Sequence, residues 1–458
     1  MPLSRLLRRA RDWVGSAPYL FKWMVLAPVL GVVAGLGAVV FYSSLSFATH
    51  IFLGMIAAYQ VPVPAGEGNA AGSAGYLRAW AIPVVVALGG LLAGFLVFTF
   101  APEAEGHGTD AAIDAVHKNP RGIRLRAVLV KIVASAITIG SGGSGGREGP
   151  TALISAGFGS LMARILQLSK EDGRIAVSVG IGSGIGAIFG APLGGAVLAA
   201  EIVYRDDFEY EALLPGMLAS IVGYAVFGAF FGFRPIFAFP GGYRFNDPVQ
   251  LLWFGVVGVV AGGVGLLYAG SFYGMISLSA RLPFTRKLRP MAGGLLVGGM
   301  ALLFPQVLGT GYGWIQKGLD GQLSSLPLWL VLALPLSRIV ATSLSIGSGG
   351  SGGVFGPGLV IGAFTGLAVW RLLEPIAMAV GHSPAPFVVV GMMAVFGGIS
   401  RAPVAVMLMV IEMTGSMALM APAMAAVGIS WLIADRSGAS IYRSQLPRRA
   451  ERKGGYPD

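Results

Sequence analysis

Glu148 is a carboxylate flanked by long apolar segments, in the stretch Gly146-Arg147-Glu148-Gly149-Pro150. An ionisable side chain in such surroundings is costly to keep, so it is a functional candidate by default. The residues around it offer backbone N–H groups and few charged side chains. Ile139–Gly146 reads I-G-S-G-G-S-G-G, and Ile346–Gly353 repeats those eight residues before Val354-Phe355-Gly356-Pro357. Glycine lets the backbone approach a small ion closely and adopt positive φ. A proline in the first turn restarts a helix without losing a needed donor. The helix N-terminus so formed turns free N–H groups and a positive dipole end toward an anion. Many amide donors with few cations hold an anion loosely enough to release it. The pattern implies an anion pathway with a titratable carboxylate beside it, and no cofactor other than the bound anion.

Other residues invite chemistry and are read against plainer roles. Glu201 follows Ala191-Pro192 at the spacing by which Glu412 follows Ala402-Pro403. This matched placement favours a structural role, such as pairing with buried N–H groups. Lys131 and Arg338 also match and would either raise the local positive potential or anchor an aqueous edge. Gly140–Gly145 fits G-x-G-x-x-G but has no βαβ unit around it, so a dinucleotide site is excluded. Gly142-Gly143-Ser144-Gly145 suits an intramembrane serine hydrolase, a remote alternative. That chemistry needs a histidine base, and His50, His107, His117 and His382 form no supporting pattern. There is no cysteine, which excludes disulfides and thiolate metal sites.

The elements that must position Glu148 are membrane helices. Charged residues are 12% of the 458 and hydrophobic ones 55%, whereas a soluble domain carries about 25% charge. The uncharged run Trp23–Tyr59 far exceeds the ~20 residues that cross a bilayer. Comparable runs are Ala79–Pro102, Ala212–Phe233, Val249–Ala280, Met291–Gly309 and Met417–Ala434. A polytopic all-α membrane protein follows, since a β-barrel would show short alternating strands. The net charge of +11 does not point to nucleic acid, because the cations sit at the ends and in short loops. They are Arg5, Arg8, Arg9 and Arg11, then Arg281, Arg286, Lys287 and Arg289, then Arg448, Arg449, Arg452 and Lys453. The positive-inside rule puts these regions, and so both termini, in the cytoplasm, and the loop Gln60–Gly75, free of Lys and Arg, outside. Residues 1–19 read as a cytoplasmic amphipathic helix through Leu3, Leu6, Leu7, Trp13 and Val14, and 446–458 as a basic cytoplasmic tail. A short helix is expected over Ala111–Val116, after the polar break Glu103–Asp110.

The duplication runs outward from the two Gly-rich breaks. Ile132-Val133-Ala134 returns as Ile339-Val340-Ala341, and Pro150, Ile154, Ala156 and Gly159 return as Pro357, Ile361, Ala363 and Gly366. Paired breaks in corresponding places of two halves point to a transport site near the midplane, because irregular backbone at that depth must be buried in protein or line a cavity.

Gly146–Pro150 resembles the G-K/R-E-G-P signature of the CLC chloride channel and transporter family, and Gly353–Pro357 resembles its G-x-F-x-P signature. The order and spacing agree along essentially the whole chain. The resemblance implies an all-α membrane domain over 20–445, of roughly eighteen helices in two inverted repeats, about 77–233 and 250–436. It implies a homodimer in the cell's inner membrane, with one pore per subunit. Glu148 would be the gating glutamate, standing in an anion position when ionised and moving aside when protonated. Amides of the Arg147–Gly149 turn, Val354 and Phe355 would coordinate the anion, with the Tyr442 hydroxyl at the central position.

Two departures fall on function. The family's G-S-G-x-P is here Gly106-His107-Gly108-Thr109-Asp110, with His107 where the anion-contacting serine stands. An imidazole can donate an N–H to an anion and titrates near neutral pH. Where proton-coupled members carry an inner glutamate, this chain has Ile202, leaving Glu201 and the Asp206/Asp207 edge as possible proton paths. Chloride/proton exchange and passive anion conduction are both compatible with Glu148.

Overall fold

The computed structural model describes residues 3–241, 243–283, 285–375 and 381–449. Residues 450–458 of the expected basic tail, with Arg452 and Lys453, lie outside the described residues, as do the side chains of Leu3, Leu6 and Leu7. Seventeen α-helices run through the described residues, among which there is no strand. A surface helix α1 (Leu3–Ser16) leads into α2 (Tyr19–Thr49), which ends in a π-helical turn, His50–Ile56. Then come α3 (Ala81–Phe100), α4 (Thr109–His117), α5 (Leu125–Gly140), α6 (Glu148–Ile165), α7 (Lys170–Phe189), α8 (Pro192–Glu201) and α9 (Tyr210–Phe231). The second half has α10 (Gln250–Arg281), α11 (Arg289–Ala301), α12 (Tyr312–Leu319), α13 (Leu328–Gly347), α14 (Phe355–Leu373), α15 (Ala385–Ile399), α16 (Pro403–Thr414) and α17 (Met420–Arg436).

Helices α2–α9 and α10–α17 correspond one for one. Helix α2 packs on α5, α6, α7 and α9, and α10 packs on α13, α14, α15 and α17 in the same pattern. The packing carries the first half back to α2 and Tyr19, ahead of the repeat start expected near residue 77. The reason lies in packing: α2 closes over its repeat just as α10 closes over the other. Short 3₁₀ corners at Pro102–Ala104 and Pro305–Val307 precede α4 and α12 in the two halves.

Among the described residues, seven helical stretches are long and apolar enough to cross a membrane, including Tyr19–Ile56, Ala81–Phe100, Gln250–Arg281 and Phe355–Leu373. The protein is an integral membrane protein. The run Met291–Gly309, expected as a span, is broken instead. Helix α11 has 13 residues, about 20 Å at 1.5 Å per residue, and the 3₁₀ corner at Pro305 follows. Helix α7 is buried at every residue from Gly173 to Phe189, which explains why Gly180–Ala191 is so rich in glycine. Small residues let neighbouring helices approach, as in other membrane bundles. A Cβ on Gly180 would meet the Ser155 carbonyl oxygen at 2.5 Å.

The Gly-rich breaks solve the backbone problem by pairing with the opposite repeat. The Gly146 N–H donates to the Gly353 carbonyl at 2.8 Å, and the Gly353 N–H donates back to Gly146 at 2.7 Å. Gly106 of the first half donates to Gly350 at 3.0 Å, and Gly309 of the second half donates to Gly142 at 3.1 Å. Side chains follow the same two-fold: Ser144 Oγ meets Thr342 Oγ1 at 2.8 Å, and Ser351 Oγ meets Ser135 Oγ at 2.9 Å. Gly142 and Gly349 turn these corners at φ 108° and 105°, a region that L side chains rarely enter. Each break supplies what the other lacks, so neither repeat can make this core alone.

Candidate anion pathway

Glu148 is the first residue of α6, and its carboxylate is buried where α6 and α14 begin. The N–H groups facing it are its own and those of Phe355 and Gly356. Neither carboxylate oxygen closes a well-formed hydrogen bond. A Cβ on Gly356 would stand 3.0 Å from Glu148 Oε2, and Gly146 and Gly353 crowd the same carboxylate. Glycine at these positions is thus a steric requirement. The result is a negative group in a cradle of helix-start amides, held by geometry and charge without saturated hydrogen bonds.

The α14 side is fixed by groups the sequence did not single out. Tyr268 on α10 donates its hydroxyl to the Val354 carbonyl at 2.8 Å. The Tyr312 hydroxyl lies 2.6 Å from where a Gly356 Cβ would be, so it faces the same cradle. Phe355 is buried between Phe189 and Phe396, with ring centroids 5.4 and 4.4 Å away. Gly149 packs between the His107 carbonyl and the Gly353 Cα. Arg147, by contrast, points away from the cradle. Its guanidinium pairs with Glu67 at 2.6 Å and lies against the rings of Tyr42, Phe189 and Tyr312 at 5.2, 5.6 and 5.0 Å. Glu67 belongs to the loop read as external, and the pair lines a cavity of about 460 Å³ together with Tyr42, Ile139, Gly309 and Thr310.

A second cluster holds the remaining expected residues. Tyr442 lies in the non-helical segment after α17, fully buried, with its hydroxyl beside the Thr109 side chain. The His107 ring is 5.7 Å from the Tyr442 ring. His107 does not stand free: its Nε2 lies 3.3 Å from Asp110 Oδ2. Asp110 in turn accepts N–H bonds from Ser444 at 3.0 Å and Arg443 at 3.3 Å, and the Tyr273 hydroxyl at 3.2 Å. This aspartate fastens the segment carrying Tyr442 to the start of α4.

Glu201 sits apart from both clusters. Its carboxylate accepts the N–H groups of Val404 and Ala405 at 3.2 and 2.7 Å, at the start of α16. Glu412 accepts those of Leu193 and Gly194 at 3.0 and 2.7 Å, at the start of α8. Two antiparallel helices therefore cap each other across the repeat boundary. Ile202 is wholly buried in the apolar core. Lys131 and Arg338 are wholly buried, so neither anchors an aqueous edge. Lys131 Nζ donates to the carbonyls of Ala104 and Gly106 at 3.1 and 2.7 Å. Arg338 donates to the carbonyls of Gln306, Val307, Gly309 and Thr310 at 2.6–3.2 Å. Each cation ties down the corner before α4 or α12.

Fold and cradle together define a two-repeat membrane protein with an amide-lined carboxylate at its centre. A family model described as "Voltage gated chloride channel" matches residues 89–435. Among curated proteins, a ClcB-like protein of Ralstonia nicotianae is 32% identical over 378 residues, 81% of this chain and 87% of that one. An H(+)/Cl(-) exchange transporter ClcA of Yersinia pseudotuberculosis is 30% identical, covering 93% of this chain and 87% of the other. Among solved structures, a slow cyanobacterial Cl-/H+ antiporter superposes with a TM-score of 0.75 at 24% identity, over 93% of this chain and 96% of that one. The chain belongs to the voltage-gated chloride channel (CLC) family.

Proposed function

We propose that the protein exchanges chloride for protons across a cell's inner membrane, with Glu148 as the group that serves both ions. The carrying observation is the buried Glu148 carboxylate, which faces the helix-start amides of its own residue, Phe355 and Gly356 without closing a well-formed hydrogen bond to any of them. An ionised Glu148 there competes with chloride for the same donors. Protonation removes the charge that the amides attract, so the side chain leaves and chloride enters. Amides at Gly149, Val354 and Phe355 serve the anion in the cradle, and Tyr442 with His107 serves it in the second cluster. Arg147 acts from the Glu67 side as a positive wall of the vestibule. The names of the ClcA relatives support the exchange reading.

Both termini in the cytoplasm fits the charge distribution, with the Glu67 loop outside, and a homodimer with one pathway per subunit fits the family. Passive anion conduction gated by Glu148 is the second reading, favoured by the buried, proton-inert Ile202. Proteoliposomes under a chloride gradient separate the two when chloride efflux and external pH are recorded together. Exchange gives proton uptake with chloride efflux, and Glu148→Ala loses the proton signal while chloride still flows. Chloride efflux with no proton signal in the wild type would overturn exchange in favour of conduction.

A further inference from the structure

We propose that His107 and Asp110 form a proton-binding pair whose proton is held more tightly while an anion is bound beside it. This rests on the exchange reading above and supplies the proton carrier that Ile202 is not. The two residues lie three apart at the start of α4, with His107 Nε2 3.3 Å from Asp110 Oδ2. The Asp110 side chain is 23% exposed and that of His107 7%, so the aspartate meets water where the imidazole does not. His107 Nδ1 is buried with no hydrogen-bond partner, beside Tyr442 and Phe272.

The chemistry follows from the two ring nitrogens. A neutral imidazole that donates Nε2–H to Asp110 leaves Nδ1 as an acceptor, which repels an anion. A proton from water added at Nδ1 makes an imidazolium. Its new N–H donates to the anion while Nε2–H keeps the Asp110 carboxylate, and the charge-assisted bond is the stronger kind. Proton and anion therefore bind better together than apart, and exchange follows when the proton passes on toward Glu148 while the anion leaves the opposite way. Handing that proton through water to the Glu148 carboxylate breaks one N–H bond and forms one O–H bond, with no other change.

The surrounding charges are few. From α10, Phe272 and Tyr273 face the pair, and Arg443 of the C-terminal segment lies over the Tyr273 ring at 3.5 Å. From α5, Lys131 is bonded to the Gly106 carbonyl next to His107, with Glu105 nearby. From the C-terminal segment comes the Tyr442 hydroxyl, within the electrostatic reach of Glu148. Other acids are engaged elsewhere: both Glu201 oxygens are taken by α16, and Glu209 pairs with Arg174 and the Tyr204 hydroxyl at 2.7 Å each.

The test uses the purified full chain, with chloride titrated calorimetrically at pH 6 and pH 8 in buffers of different ionisation enthalpy, and the same protein in proteoliposomes. The wild type should bind chloride at least about tenfold more tightly at pH 6 with net proton uptake, within the linkage limit of tenfold per pH unit for one proton. His107→Ser and His107→Gln should remove the part of that dependence that persists in Glu148→Gln, and with Glu148 intact should lower the protons moved per chloride roughly fivefold. Asp110→Asn should move the dependence to lower pH, because the imidazolium loses its counter-charge. Wild-type pH dependence and proton-to-chloride ratio in a monodisperse His107→Gln would overturn the proposal. A wild type that moves chloride without protons but takes up a proton on binding it would overturn exchange and leave the pair standing.

Discussion

Two kinds of glutamate occupy matched or unmatched places in the repeats, and their surroundings differ accordingly. Glu201 and Glu412 recur at equivalent positions, and each closes two hydrogen bonds to the start of the helix that carries the other. Glu148 recurs as Phe355, and its carboxylate faces helix-start amides without closing a well-formed bond. All three acids are drawn to helix N-termini by the same dipole and donors. The saturated pair behaves as a clasp, and the unsaturated single as a movable part. Where the duplication keeps a residue in both copies, it holds the fold; where the copies diverge, the pathway acquires polarity. Lys131 and Arg338 fall on the first side of that line, and His107 and Asp110, matched by Thr310 and Gly313, on the second.

The largest expected effect is at Glu148. Replacing it with Ala or Gln should reduce proton movement by about 10²–10⁴-fold, the usual worth of a positioned proton donor, with chloride flux persisting in the liposome assay. Next come the clasp residues. Glu201→Ala or Glu412→Ala leaves two helix-start N–H groups without their acceptor, at about 1–3 kcal/mol where the group is buried, as at Ala405, and less where it is exposed, as at Leu193. Thermal unfolding in detergent should show a clear loss of stability, while the proton-to-chloride ratio of surviving protein stays at the wild-type value. A changed ratio in Glu201→Gln would instead move Glu201 into the proton path and blur the comparison.

Smaller effects sharpen it. Glu67→Gln leaves Arg147 without its counter-charge beside the 460 Å³ cavity. External chloride should then half-saturate transport at a few-fold lower concentration, an effect of about 1 kcal/mol. This is best seen at low ionic strength, where screening is least. Ser144→Ala should be smallest, costing about 0.5–1.5 kcal/mol for one lost hydroxyl contact with Thr342. Transport should be retained, as expected of a serine with a counterpart in Ser351 rather than of a nucleophile.

The sequence made legible whatever was local or duplicated: the two breaks, their proline restarts, the repeat and the isolated Glu148. It did not make legible contacts that join distant segments. Glu67 lies in a Gly/Ala/Pro-rich loop with nothing local to mark it as the partner of Arg147. Asp110 reads as a helix-start acid, yet its partners Arg443 and Ser444 are at the far end of the chain. Tyr312 had a usable signal, since Gly309-Thr310-Gly311-Tyr312 parallels Gly106-His107-Gly108-Thr109. It is masked because α13, at 20 residues, is longer than α5 at 16, which changes the spacing to the next break. The part played by α2 in the first half is hidden for a related reason. Helices α2 and α10 share a packing role but no motif, and an apolar surface can be made from many interchangeable residues.

The most direct test is the number of chloride ions bound per subunit, counted crystallographically with bromide as an anomalous substitute in the wild type and in Glu148→Ala. If the carboxylate stands in an anion position between the starts of α6 and α14, the variant gains one halide there, facing the Phe355 and Gly356 amides. If that position stays empty in the variant, Glu148 does not compete with the transported ion. The divergence between Glu148 and Phe355 would then have to be explained by something other than gating.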